Sequence, residues 1–366
     1  MSSPSVEAVT AALSKVIDPE LRRPITELGM VRSVEVGEVG AVSVEIALTV
    51  AGCPMAKQIE RDVKAAVAAL DGLGLLTVKM GVMTEEERAA LQQTLRGSQG
   101  TESPFNDPAS KTQIIAIASG KGGVGKSSLT ANLAVCLAGQ GLEVGVLDAD
   151  IYGFSMPRML GVASDPVQMD DMLLPPVAHG VKVFSIGMLV PPGRPIVWRG
   201  PVLHRTLSQF CTDVYWGELD ILLIDLPPGT GDVPLSIAQL LPSSQVVVVT
   251  TPQTAAAEVA QRAGAMALQT KQPILGVVEN MSWLVQPDGT RLELFGAGGG
   301  EQVAANLSEA LGQTVELLGQ VPLDITIREG GDLGQPIVVS EPDSPAAQAY
   351  QVIANQLATR TAAADH

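Results

Sequence analysis

Gly120-Lys121-Gly122-Gly123-Val124-Gly125-Lys126-Ser127 decides how this chain is read. The stretch fits the spacing G-x-x-x-x-G-K-[ST], with Ser128 next in line. The apolar run 113–118 precedes it, and a helix-compatible stretch begins at Lys126. Strand, glycine loop and helix in that order make an anion cradle. Glycines let backbone N–H groups curl around a phosphate without side-chain clash. The helix N-terminus adds its positive end. The Lys126 ammonium is suited to neutralise β- and γ-phosphates, and the Ser127 hydroxyl to ligate Mg²⁺. The loop from Gly120 to Ser128 is therefore expected to bind ATP with Mg²⁺.

Two further strand ends carry acids. Ile221-Leu222-Leu223-Ile224-Asp225 is an apolar run closed by a carboxylate. Following a phosphate loop, it places Asp225 near the metal. The next residues, Leu226-Pro227-Pro228-Gly229-Thr230-Gly231-Asp232, are rich in Gly and Pro. They read as a nucleotide-sensing switch or as a plain turn. Val146-Leu147-Asp148-Ala149-Asp150 ends another strand. There Asp150 either orients an attacking water or is a solvated strand end.

The runs 113–118, Val144–Asp148, 181–186, Ile221–Asp225, 246–250 and 274–279 are short and largely apolar. Strands buried on both faces by helices read this way. The expected fold of residues 111–366 is α/β, a doubly wound, mostly parallel sheet with its ligands at the carboxyl ends of the strands. Residues 97–110 are a polar stretch of Gly, Ser, Pro, Asn and Asp and read as a linker. Residues 1–96 form a small α+β domain. A helix is expected over 6–17, broken by Asp18-Pro19. A strand follows over 42–50, a helix from Pro54, a strand over 75–80 and a helix over 84–95.

The composition narrows the setting. At 366 residues the chain exceeds what one core usually serves. A formal net charge of −16 repels phosphate backbones and anionic lipid, so neither a nucleic-acid nor a membrane partner is expected. No apolar run is long enough to span a bilayer, and the first residues show no basic and apolar leader pattern. Three scattered cysteines, Cys53, Cys136 and Cys211, make no disulfide framework. A reduced, cytoplasmic location is expected.

With these residues in place the chain resembles a known group. Lys121 directly after Gly120 is similar to the deviant Walker A loop of nitrogenase iron protein, MinD and ParA. Asp148-Ala149-Asp150-Ile151-Tyr152-Gly153, the segment 224–232 and Val278-Glu279-Asn280-Met281-Ser282 resemble the Mrp/ApbC iron–sulfur cluster carrier ATPases. Asp18-Pro19-Glu20, Leu28-Gly29-Met30-Val31 and Gly52-Cys53-Pro54 resemble the small domain often fused to them in bacteria. The resemblance implies a homodimer that hydrolyses ATP and passes clusters to iron–sulfur apoproteins or assembly proteins. It implies that Lys121 reaches the partner's phosphates. Lys126, Ser127 and Asp225 would hold phosphate and Mg²⁺, and Asp150 would position water. Asn280 would contact the adenine, with Pro322 and Asp324 near the base.

One departure bears on the cargo. Many carriers of this group have a Cys-x-x-Cys pair after the Asn-Met-Ser segment, holding a cluster, such as [4Fe-4S], at the dimer interface. Here that stretch reads Trp283-Leu284-Val285-Gln286-Pro287-Asp288-Gly289. Cys136 and Cys211 sit in apolar helical patterns and read as core residues. Cys53 is the candidate cluster ligand. A helix starting after it would lower its pKa, but it reads equally as a buried turn residue. His179, His204 and His366 show no metal-ligand spacing. Two other functions remain open, a MinD/ParA-like positioning ATPase and a metal-free, nucleotide-gated protein adaptor.

Overall fold

The computed structural model describes residues 3–96, 103–189, 200–253, 262 and 264–363. Residues 97–102 of the expected linker and His366 lie outside the described residues. The chain divides into two compact units. The smaller takes in Met1–Glu102, Pro166–Pro175 and Asp213–Gly217, and the larger the remainder.

The smaller unit is a three-stranded sheet, β1 (Val31–Val36), β2 (Val42–Leu48) and β3 (Leu76–Val82), in the order β1-β2-β3. β1 and β2 pair antiparallel, and β2 and β3 parallel. The first helix, Val6–Leu13, is capped by Ser5, whose Oγ accepts the Ala8 N–H at 3.2 Å. It ends four residues before the expected residue 17. The chain turns there, so that the Ile25 N–H reaches Val16 and Ile17 bridges Pro24. The helix Glu85–Arg96 starts on a capping box: the Glu87 N–H donates to Thr84 Oγ1 at 3.2 Å, and the Thr84 N–H to Glu87 Oε2 at 2.7 Å. Val9, Leu13, Val44, Ile46, Ile59 and Val63 build the core.

The sequence reading ended this domain at residue 96. Two later stretches nevertheless belong to the unit. The hairpin β6 (Val167–Met169) and β7 (Met172–Leu174) buries Met169, Met172 and Leu174 in the same core. The segment Asp213–Gly217 joins it, as the Tyr215 N–H donates to the Leu173 carbonyl at 2.8 Å.

The larger unit is built on a nine-stranded sheet. Its strands are β4 (Gln113–Ser119), β5 (Val144–Asp148), β8 (Val177–Ala178), β9 (Val181–Ser185), β10 (Ile221–Asp225), β11 (Gln245–Thr250), β12 (Ile274–Val285), β13 (Arg291–Leu292) and β14 (Leu317–Leu323). The order β12-β11-β4-β10-β5-β9 is parallel throughout, and β14 runs parallel beside β12. Only β13 and β8 pair antiparallel. The expected doubly wound, mostly parallel α/β fold is the observed one. The chain passes from β4 to β5 on one side and later from β10 to β11 on the other side of β4, and a crevice forms at such a switch. The helix Lys126–Gly139 buries every residue from Leu129 to Leu137, as a helix apolar all round must. Tyr350, Ile353 and Leu357 of the helix Pro345–Ala363 share its core.

Candidate functional site

The glycine loop turns out of β4 with Gly123 at φ +76° and Gly125 at φ +78°, a region that side chains rarely enter. Gly125 has a second reason to be glycine, since a Cβ there would lie 2.0 Å from Asn280 Nδ2. Gly125 is the N-cap of the helix Lys126–Gly139, and no side chain caps that terminus. Its first-turn N–H groups are thus left for an anion.

Asp225 sits on the floor below. It is wholly buried, and its neighbours come from one face of that helix. Ser127 Oγ donates to its Oδ2 at 2.6 Å, and Thr130 Oγ1 to its Oδ1 at 2.9 Å. Lys126 Nζ lies 2.7 Å from the same Oδ1, with 6% of its side chain exposed. That contact is an ion pair without hydrogen-bond geometry, and the buried ammonium has no hydrogen-bond partner. A buried donor in this condition is costly until an acceptor reaches it. The loop therefore fits a phosphate. The oxygen pair of Ser127 and Asp225 fits a hard cation that keeps most of its other ligands from water and phosphate.

Strand register places the other acid. Asp225 pairs with Asp148 on β5, and Asp148 with Ser185 on β9. Asp148 is fully buried. Burial, and then the Asp225 charge, push its carboxyl up to about 7. Its Oδ1 accepts the Asp150 N–H at 3.2 Å. Its Oδ2 accepts the Ser155 and Met156 N–H groups at 2.9 and 3.1 Å and the Ser185 hydroxyl at 3.1 Å. Asp150 itself is half-buried, and its Oδ1 accepts the Gly153 N–H at 3.0 Å. The Gly229 N–H ties the Gly- and Pro-rich loop after β10 to the Ser119 carbonyl at 2.8 Å.

Asn280 lies on β12 where that strand breaks register with β14. Met281 takes φ +58°, rare for a side chain of its size. The kink aims the carboxamide at the loop. Asn280 Nδ2 donates to the Val124 carbonyl at 2.9 Å, and its Oδ1 accepts the Met281 N–H at 3.0 Å. Lys121 Nζ donates to Gln253 Oε1 of its own chain at 3.0 Å. Asp324 caps the helix Ile325–Leu333, accepting the Thr326 N–H at 2.9 Å.

Cys136 and Cys211 are buried as expected, and of the two readings of Cys53 the structure shows the buried one. The helix expected from Pro54 begins at Ala56, and Cys53 precedes it, buried. Burial, and then Glu20, push the thiol up to about 11, although N–H groups of Met55 and Ala56 pull the other way. Burial pushes Cys136 and Cys211 up to about 12. Glu20 is raised to about 7 by burial and by Asp18, whose Oδ1 accepts the Glu20 and Leu21 N–H groups at 2.9 and 2.8 Å. Among the described residues no three His, Cys, Asp or Glu side chains are grouped to hold a metal ion. Where the resemblance has its cysteine pair, β12 and β13 form a hairpin with the Arg291 guanidinium 4.0 Å over the Trp283 ring. No described helix is long and apolar enough to cross a membrane.

Thr130, Asp148, Ser185 and Gln253 were not singled out from the sequence. Thr130 had a signal, since it stands four residues after Lys126 on the same helix face. The others are brought in by strand register and loop path.

Comparison with known proteins agrees with this geometry. Residues 110–358 match the family model for the NUBPL iron-transfer P-loop NTPase, and residues 6–79 that for an iron–sulfur cluster assembly protein. A Mycobacterium tuberculosis protein named iron-sulfur cluster carrier protein is 56% identical over 354 residues, covering 96% of this chain and 93% of its own. A Synechocystis protein of the same name is 42% identical, covering 98% and 99%. Among solved structures, a nucleotide-binding protein from Archaeoglobus fulgidus in complex with ADP is 39% identical with a TM-score of 0.53. That match covers 64% of this chain and 89% of that one.

Proposed function

The chain belongs to the NUBPL iron-transfer P-loop NTPase family, joined to an iron–sulfur cluster assembly domain, and from that premise we propose that it hydrolyses ATP with Mg²⁺ and carries iron–sulfur clusters to apoproteins. One observation carries the nucleotide half: the buried Lys126 ammonium, 2.7 Å from Asp225 Oδ1 but outside hydrogen-bond geometry, beneath a glycine loop and an uncapped helix end. The phosphates of ATP supply the missing acceptors. Ser127 and Asp225 are the residues for Mg²⁺, which when bound neutralises charge on the phosphate oxygens. Lys126 stabilises the charge that develops as the bond to the γ-phosphorus breaks. Asp150 orients the water whose oxygen forms the new bond, and ADP leaves. Asn280 keeps one amide hydrogen beyond its bond to the loop, and it is our choice for the adenine contact.

Assembly follows the same reading. Lys121 is proposed to leave Gln253 and to supply positive charge to a partner's phosphates in a symmetric homodimer. Mixing two inactive variants, Lys121→Ala and Asp150→Ala, then creates one complete site per mixed dimer, and turnover partly returns. A mixture that stays inactive while native mass spectrometry shows mixed dimers removes the role in trans.

For the cargo, Cys53 is the first thiol to consider, because Cys136 and Cys211 lie in the ATPase unit's core elements. The buried thiols also favour a second reading, an ATP-gated protein adaptor that holds no cluster. The ATPase half is tested by Lys126→Ala. Its turnover should fall at least about 100-fold with the fold intact, as for loss of a transition-state charge partner. Wild-type turnover by that variant would remove the assignment.

A further inference from the structure

The sequence Asp148-Ala149-Asp150 offers two acids, and only Asp150 has a role in the reaction proposed above. Asp148 is the more buried of the two, and its bonds have a pattern. None of its donors comes from the phosphate loop. Three are backbone N–H groups of the loop that carries Asp150, and the fourth is the Ser185 hydroxyl. The two oxygens divide that loop between them. Oδ1 holds its first residue, through the Asp150 N–H, and Oδ2 holds its far end, through the N–H groups of Ser155 and Met156.

We propose that Asp148 is the positioning residue of the hydrolysis step: one buried carboxylate closes the loop 150–156 at both ends and thereby fixes Asp150. The inference rests on the reading of Asp150 as the water-orienting group. The anchorage is rigid on its other side. Asp148 ends β5, which is paired in register with β10 and β9, and Ser185 ends β9. Inside the loop, Asp150 Oδ1 takes the Gly153 N–H at 3.0 Å, and a Cβ on Gly153 would stand 3.1 Å from Asp150 Oδ2. The Asp150 side chain is therefore held by a turn, and the turn is held by Asp148. Catalytic geometry tolerates little displacement, so freeing one end of the loop should slow chemistry without removing nucleotide binding.

Asp148→Asn separates the two ends. Its single oxygen serves best on the side with three donors, which keeps Ser155, Met156 and Ser185 bonded. The amide then faces the Asp150 N–H, donor against donor, and that end is released. We expect kcat to fall about 10-fold or more, with KM for ATP within about threefold, in line with lost positioning rather than lost binding. If Asp148 acts through Asp150, the double variant with Asp150→Ala should be no slower than Asp150→Ala alone. Residue-resolved hydrogen exchange on the wild-type protein gives a measurement that needs no variant to fold. The amides of Asp150, Ser155 and Met156 should exchange more slowly than those of Tyr152 and Phe154. The inference is overturned by a kcat within twofold of wild type in Asp148→Asn, by effects that multiply in the double variant, or by unprotected amides at 150, 155 and 156. A slow Asp150→Ala beside a normal Asp148→Asn sinks this inference alone. A normal Asp150→Ala sinks the reading of Asp150 and this inference with it.

Discussion

Buried charge is handled in opposite ways in the two units. At the ends of β5 and β10, Asp225 meets a hydroxyl pair and an ammonium, and Asp148 meets four donors. In the smaller unit, Asp18, Glu20 and Cys53 are all buried; burial and Asp18 raise the pKa of Glu20, and burial, Glu20 and Asp18 that of Cys53. The first arrangement is preorganised for an anion and a cation that complete it. The second favours the protonated forms of Glu20 and Cys53. The ATPase face is thus built to receive a nucleotide, whereas the Cys53 corner favours its neutral forms.

The same chemical change should therefore have opposite effects in the two places. Asp225→Asn leaves the Lys126 ammonium buried without its counter-ion. The larger unit should lose about 3 kcal/mol or more, the usual cost of breaking a buried pair. Glu20→Gln removes a charge that burial and Asp18 disfavour. It should stabilise the smaller unit by about 2 kcal/mol at pH 8, somewhat less than the full linkage value of its shift. The sign follows from the direction of that shift. A carboxyl whose folded pKa is raised to about 7 imposes no penalty well below its ordinary value near 4.5. The penalty grows as pH rises through the window between them, so the gain from Glu20→Gln should vanish at pH 4. Denaturant unfolding of each variant at pH 4 and pH 8 reads both effects. A destabilised Glu20→Gln at pH 8, or an unaffected Asp225→Asn, would erase the contrast.

Much of the ATPase unit was legible because its signals are local. A phosphate loop needs glycines, a lysine and a hydroxyl at fixed spacing, and all stand within nine residues. β4, β5, β10 and β11 are apolar between their ends, as strands covered on both faces are, and β9 is interrupted only by Lys182. β1 was passed over because it is an edge strand with Arg32, Ser33 and Glu35 among its valines. β14 carries Gly319 and Pro322, which read as loop. β12 continues past Glu279 only through the kink at Met281. Asp148 was visible as an acid but not as an anchor, since its partners are set by register with β9 and by the return of the chain at Ser155. The hairpin of β6 and β7 could not be assigned to the smaller unit from the sequence, because Met169, Met172 and Leu174 find their core more than 70 residues upstream. The two readings of Cys53 stayed open in the sequence for a related reason: the spacing indicated a helix start, but burial is a property of the finished core.

Under the proposed function, ATP turnover serves the carriage of a cluster. Anaerobic reconstitution of the full chain with iron and sulfide, followed by Mössbauer spectroscopy and transfer to an apo-ferredoxin, tests it most directly. We predict a stoichiometric cluster that passes to the acceptor, and iron content that falls in Cys53→Ser but not in Cys136→Ser. A wild-type protein that hydrolyses ATP yet binds no cluster would contradict the claim and leave the adaptor reading in its place.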